Sequence, residues 1–160
     1  MIAIDPGPTN SAFVVMSNGN ILEFGIVPTM QLVDRLASTP QHNHIAVIEM
    51  IASYGMSVGA EVFDTCVKIG MMMEANARNC ELMYRREVKM HLCGVMTAKD
   101  SNIRQRLIDI YGPGKEKAIG LKKTPGPLYG VSKDVWAALG VAVTWTEKNG
   151  GVIYAVDKSA

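Results

Sequence analysis

With 160 residues, 48% of them hydrophobic and 19% charged, the chain fits one domain (1–160) able to bury roughly 70% of the surface its unfolded form exposes. No apolar run approaches the ~20 residues of a membrane span, and Met1 leads directly into an apolar stretch without room for a signal peptide, so a cytoplasmic protein is expected. The net charge of +1 conceals a division: Arg85 to Lys123 holds ten basic residues against four acidic ones, which suits a polyanion-facing surface set apart from an acidic pocket, or equally the solvated faces of ordinary helices.

The first seven residues, MIAIDPG, read as a short buried strand that ends in a carboxylate, because Pro6 lacks an N–H and Gly7 favours a turn. Asp5 then projects from a strand end, although Asp-Pro-Gly is also an ordinary turn. Ser11 to Ser17 and Ile21 to Val27 are β-rich segments joined by the hairpin signal Asn18-Gly19-Asn20, giving an antiparallel three-strand meander. Met30 to Ala37 has apolar residues at helical spacing.

His44 to Met50 is a continuous apolar run broken only by Glu49, as expected of a central strand buried on both faces. A carboxylate there needs a cation or donor close by, unless it emerges into solvent at the strand end. Ile51 to Val58 reads as a loop. The longest helix is predicted over Gly59 to Asn79, and its Met71-Met72-Met73 run serves core packing or a self-association face. A fifth strand is predicted within Glu81 to Val88, centred on Leu82 to Tyr84, with His91 to Gly94 leading into a loop.

Asp100 or Ser101 caps a helix reaching Tyr111, with Lys99, Arg104 and Arg106 at its start and flank. Gly112 to Gly130 holds five glycines, three prolines and four lysines (Lys115, Lys117, Lys122, Lys123) and is expected to be a mobile basic loop. Ser132 is the expected N-cap of a final helix to about Thr146, with Asp134 in its first turn, where the helix dipole favours a carboxylate. The VIYAV segment that begins at Val152 reads as a terminal strand or tail. Cys66, Cys80 and Cys93 lack the spacing of a disulfide framework or zinc ribbon.

Three acids thus fall at the end of the first strand, the end of the fourth and the start of the last helix. In a ribonuclease H-like α/β fold, a five-stranded mixed sheet flanked by helices, those positions surround one site. Carboxylates there can hold two divalent metals about 4 Å apart. The sequence resembles the RuvC-type Holliday junction resolvases, as a phage-type or otherwise divergent member. Ile4-Asp5-Pro6-Gly7 matches the opening I-D-P-G, and Ala46-Val47-Ile48-Glu49 the A-I-E strand. Glu87-Val88-Lys89, then Cys93-Gly94 and Ala98-Lys99-Asp100, is similar to the Q-V-K, glycine and K-x-x-V/I segments, and Ala138 to Thr144 to the A-L-A-I-A-I-T helix.

That resemblance implies an endonuclease of DNA recombination and repair, dependent on Mg2+ or Mn2+ with two ions per site, that resolves four-way junctions as a homodimer by paired nicks. It implies Asp5, Glu49 and Asp134 as metal-binding acids, and Lys89 and Lys99 as basic residues near the scissile phosphate. Tyr54, Arg85, Arg86, Lys89, Lys99, Arg104, Lys115, Lys117, Lys122 and Lys123 are the expected DNA contacts, Tyr54 standing in for a base-stacking aromatic whose position is Ala52 here. The chain departs from the pattern at Ala137, where a fourth acid is usual. Two other functions fit the residues: a related nuclease acting on hybrids or structured RNA, and a non-catalytic protein that binds branched DNA. An actin-like ATPase would need a second half that 160 residues do not provide.

Overall fold

The computed structural model describes residues 1–40, 44–77 and 79–154. Five strands form one mixed sheet: β1 (Ile2–Asp5), β2 (Asn10–Ser17), β3 (Asn20–Pro28), β4 (Ala46–Met50) and β5 (Cys80–Tyr84), in the order β3-β2-β1-β4-β5. The meander β1-β2-β3 is antiparallel, turning at Asn18 and Gly19, both at positive φ. β4 and β5 then add in parallel, as crossovers through α1 (Thr29–Ser38) and α2 (Ala60–Ala75) require.

Side-chain alternation divides the core in two. Ile2, Ile4, Phe13, Ala46 and Ile48 pack beneath Leu32, Val33 and Leu36 of α1 and Ile69 and Met72 of α2. Ala3, Val14, Val47 and Met83 point the other way, against α3 (Arg85–Cys93), α4 (Asp100–Tyr111) and α6 (Val135–Lys148). Met72 is fully buried, while Met71 and Met73 rest partly buried on the same cluster, so the methionine run serves the core. No helix among the described residues is long and apolar enough to cross a membrane.

The structure corrects the sequence reading in three places. Residues from Arg85 are helical instead of extended or looped: the Glu87 carboxylate accepts the Tyr84 N–H at 3.0 Å, Val88 and Leu92 face the core one turn apart, and Gly94 ends α3 in the left-handed region. The expected basic loop is folded. It contains α5 (Lys115–Ala118) and a small hairpin of β6 (Gly120–Leu121) and β7 (Thr124–Pro125), anchored by fully buried Ala118 and Leu128. Its glycines permit close backbone approach: a Cβ on Gly126 would sit 2.3 Å from the Lys117 carbonyl oxygen.

The third correction concerns α6, whose N-cap position belongs to Asp134; the Ser132 carbonyl instead accepts the Val135 N–H. At the chain's far end, Gly151 to Tyr154 form no strand, though the Tyr154 N–H reaches the Gly19 carbonyl at 3.4 Å. Residues 155 and 156 of the predicted terminal segment lie outside the described residues.

Candidate functional site

The site follows from the pairing of β1 with β4. Ile2, Ala3 and Ile4 lie opposite Ala46, Val47 and Ile48, and continuing that parallel register sets Asp5 beside Glu49. Each lies two positions beyond a residue of the α6 side, Ala3 and Val47, so both carboxylates face the layer of α3, α4 and α6. They share a pocket of about 210 Å³ at the strands' C-terminal ends with Pro6, Ala52, Tyr54 and Arg85.

The turn that ends β1 is braced from behind. A Cβ on Gly7 would collide with the Asn10 carbonyl oxygen at 2.3 Å. Ser11 Oγ accepts the Gly7 N–H at 3.2 Å, and Thr29 Oγ1 donates to the Gly7 carbonyl at 2.8 Å. The two hydroxyls also bond each other at 2.8 Å, and both side chains are buried. Asp5 therefore leaves the sheet in a fixed direction.

Electrostatics single out Asp5. Its pKa is pushed up to about 7, first by burial, then by the negative charges of Glu49 and Asp134, with Arg85 opposing. Glu49 is also raised, by burial above all, although Arg85 Nη1 bonds its Oε2 at 3.3 Å. Asp134 stands exposed at the head of α6; it does not line the pocket, but its charge reaches Asp5.

Two charged residues enter that the sequence left elsewhere. Asp100, read as a helix cap, opens α4 on the same side of the sheet, and its charge reaches both Asp5 and Glu49. Arg85, read as a DNA contact, turns inward, with Nη2 on Asp100 Oδ1 at 2.7 Å and Nη1 on Glu49. The bond from Arg85 holds Asp100 below the usual carboxylate range, and Glu49 and Asp100 keep Arg85 above its own in spite of burial. An acid directly after Lys99 in the matched segment was the available signal for Asp100; nothing local distinguishes Arg85 from Arg86.

The remaining predicted residues surround this centre. Lys89 of α3 is half-buried, and its positive charge is felt by Glu49 and Asp100. Lys99 is exposed, its N–H held by the Asn102 side chain. Tyr54 occupies a tight turn closed by the Met56 N–H on the Ser53 carbonyl, with Tyr54 and Gly55 both at positive φ. A tyrosine pays a steric cost of about 1 kcal/mol there, and its ring is exposed at the pocket rim. Arg86 lies over the Tyr84 ring at 5.5 Å and Arg104 over Trp136 at 4.9 Å. Lys115, Lys117, Lys122 and Lys123 are exposed on α5 and the small hairpin.

Hard oxygen donors such as Asp5 and Glu49 suit a divalent cation such as Mg2+, and an acid raised to about 7 by burial and then by like charges is one that a cation would relieve. Among the described residues no three His, Cys, Asp or Glu side chains already converge tightly enough to hold an ion. The donor chemistry fits; the shell is open, and Arg85 holds one of its oxygens.

No protein-family model and no curated protein matches the sequence. Among solved structures, the chain is similar to Thermus thermophilus RuvC, with a TM-score of 0.63 at 17% identity over 95% of this chain and 98% of that one. This chain has the RuvC fold. A second T. thermophilus RuvC structure, in complex with a Holliday junction substrate, matches with a TM-score of 0.60 at 15% identity over the same shares. At these identities the RuvC likeness rests on the path of the backbone.

Proposed function

We propose that this protein is a metal-dependent, structure-selective endonuclease that cuts branched DNA, four-way junctions above all. The observation that carries the reading is the adjacent pair Asp5 and Glu49 at the ends of parallel strands, with Asp134 heading the helix that packs over them. These three acids would hold Mg2+ or Mn2+. A divalent ion bound there supplies a Lewis acid and a water of lowered pKa for attack on phosphorus. Two such ions suit the three acids, with Asp5 as the shared ligand.

The chain's own residues do the rest. The braced Gly7 turn fixes the direction of Asp5. Lys89, and Lys99 from the head of α4, offset negative charge on the scissile phosphate. Tyr54 presents an exposed ring on which an unpaired base can stack. Arg86, Arg104, Lys115, Lys117, Lys122 and Lys123 supply sequence-independent phosphate contacts.

Paired nicks in two strands ask for a two-fold dimer. The face of α2 bearing Phe63 and Val67, exposed 63% and 61%, is the surface for it. Sedimentation of the chain at micromolar concentration as a monomer alone would remove the dimer.

The decisive experiment is cleavage of a synthetic four-way junction with Mg2+ or Mn2+ by the wild type and by Asp5→Asn. Equal product from both would sink the proposal. A branch-binding protein without catalysis is the second reading, favoured by the Arg85 contact to Glu49 and by Ala137. Tight junction binding without metal-dependent product supports it, and preference for an RNA–DNA hybrid over the junction would instead point to a related nuclease.

A further inference from the structure

The Arg85 guanidinium is shared between two acids with unlike surroundings. Glu49 keeps only 14% of its side-chain exposure and receives the longer bond, 3.3 Å; Asp100 keeps 79% and receives the shorter one, 2.7 Å. Arginine cannot shed its charge in a protein. It therefore acts as a permanent cation inside a pocket it shares with two acids, Asp5 and Glu49, whose like charges oppose one another. Any second cation coordinating Glu49 has to contend with it.

We infer that Arg85 is a positioning residue, a built-in counter-ion that covers Glu49 until a divalent cation replaces it, and that Asp100 is the anchor onto which Arg85 is then drawn. This rests on the metal-site reading above. The geometry gives the exchange a direction. The contact to be given up is the longer of the two, and the one retained lies toward solvent at the N-terminus of α4. Lys89, whose positive charge also bears on both acids, shares in neutralising them and so loosens the hold of Glu49 on Arg85. Asp100 acts through Arg85 and needs no contact with the ion.

Opposite signs follow for the two partners. Replacing Arg85 by Gln removes the competitor and should tighten divalent binding by about tenfold. Replacing Asp100 by Asn leaves Arg85 to Glu49 alone and should weaken it by about threefold. In the Arg85→Gln background, Asp100→Asn should change nothing.

The test is Mn2+ titration of the full chain, followed by the EPR signal of free Mn2+ and by the Mn2+-dependent rise in Tm, for wild type, R85Q, D100N, R85Q/D100N and D5N. Tighter binding in R85Q, weaker binding in D100N and no further loss in the double variant support the exchange. Unchanged or weaker binding in R85Q overturns it, as does a D100N loss that persists in the double variant, which would make Asp100 a ligand. Asp100 is exposed, so D100N folds and tests the anchor even if R85Q does not: unchanged or tighter binding in D100N also overturns it. Binding that is lost in D5N but indifferent to Arg85 and Asp100 sinks only this inference. No Mn2+ binding by any variant sinks the metal-site reading with it.

Discussion

The two ends of the central sheet are built in opposite ways. Where β1 and β4 finish, acids crowd one another: Asp5 is raised to about 7, Glu49 is desolvated, and Arg85, with Lys89 nearby, offsets the repulsion. Where β1 begins, the Met1 amino group donates to the Met16 carbonyl at 2.8 Å, and the Asn18-Gly19 turn packs against the backbone of Val152. That far end also has the larger cavity, about 600 Å³, lined by Met16, Trp145 and Tyr154 among others but by no charged side chain. Size alone would draw attention away from the end that holds the proposed acids. One end holds groups together at an energetic cost, and the other recovers stability from close backbone packing.

The sharpest way to separate the ends is Asp5→Asn. Junction cleavage should fall by at least about a thousandfold, because the proposed shared ligand is lost, while the metal-free fold should gain stability of at most about 4 kcal/mol at pH 8. The sign follows from the raised pKa. Between about pH 4 and pH 7 the folded state binds a proton at Asp5 that the unfolded chain has released, so wild-type stability should decline as pH rises through that window. Urea titrations at several pH values, without divalent ions, should show this decline in the wild type and a flatter profile in Asp5→Asn.

Gly19→Ala addresses the other end. Its Cβ would lie 1.8 Å from the Val152 carbonyl oxygen, at φ +75°, and should cost about 2–3 kcal/mol by denaturant unfolding. Cleavage per folded molecule should hold. A large loss of cleavage in folded Gly19→Ala would show that the ends are coupled after all.

Thr29→Val tests the brace behind Asp5. It removes the donor to the Gly7 carbonyl and should cost about 1–2 kcal/mol, with a fall in cleavage greater than the loss of folded protein explains. The smallest effect on stability belongs to Lys122→Gln with Lys123→Gln, within about 0.5 kcal/mol. If both lysines meet phosphates, the salt dependence of junction binding should lose a slope of about two.

The sheet was legible because each strand carries its pattern locally. Ile2 to Ile4 and Ala46 to Ile48 are uniformly apolar, and Asn18-Gly19 specifies its own turn. The positions of Asp5 and Glu49 at strand ends could be read for the same reason, since Pro6-Gly7 terminates one strand and the apolar run before Glu49 defines the other. α3 was hidden because Arg85 to Lys89 offers one apolar residue, Val88, and its helical character depends on a cap at Glu87 and a stop at Gly94. The 112–130 segment was misread because its glycines signal freedom in a sequence but serve tight packing around Ala118 and Leu128 in the fold. Arg85 and Asp100 could not be paired by any local rule. They are fifteen residues apart on different helices, and only the packing of α3 beside α4 brings them together.

The placement of α6 also bears on the order of events at the ribosome. The meander β1-β2-β3 is built from short-range pairings that form early, whereas α6 packs against β1, β2 and β4 across nearly the whole length of the chain. Asp134 reaches the neighbourhood of Asp5 only when that late, non-local docking occurs. A nascent chain stalled before residue 134 would carry Asp5 and Glu49 without the helix that covers them, and so would hold no complete site. For the proposed nuclease, activity waits on the synthesis and docking of α6.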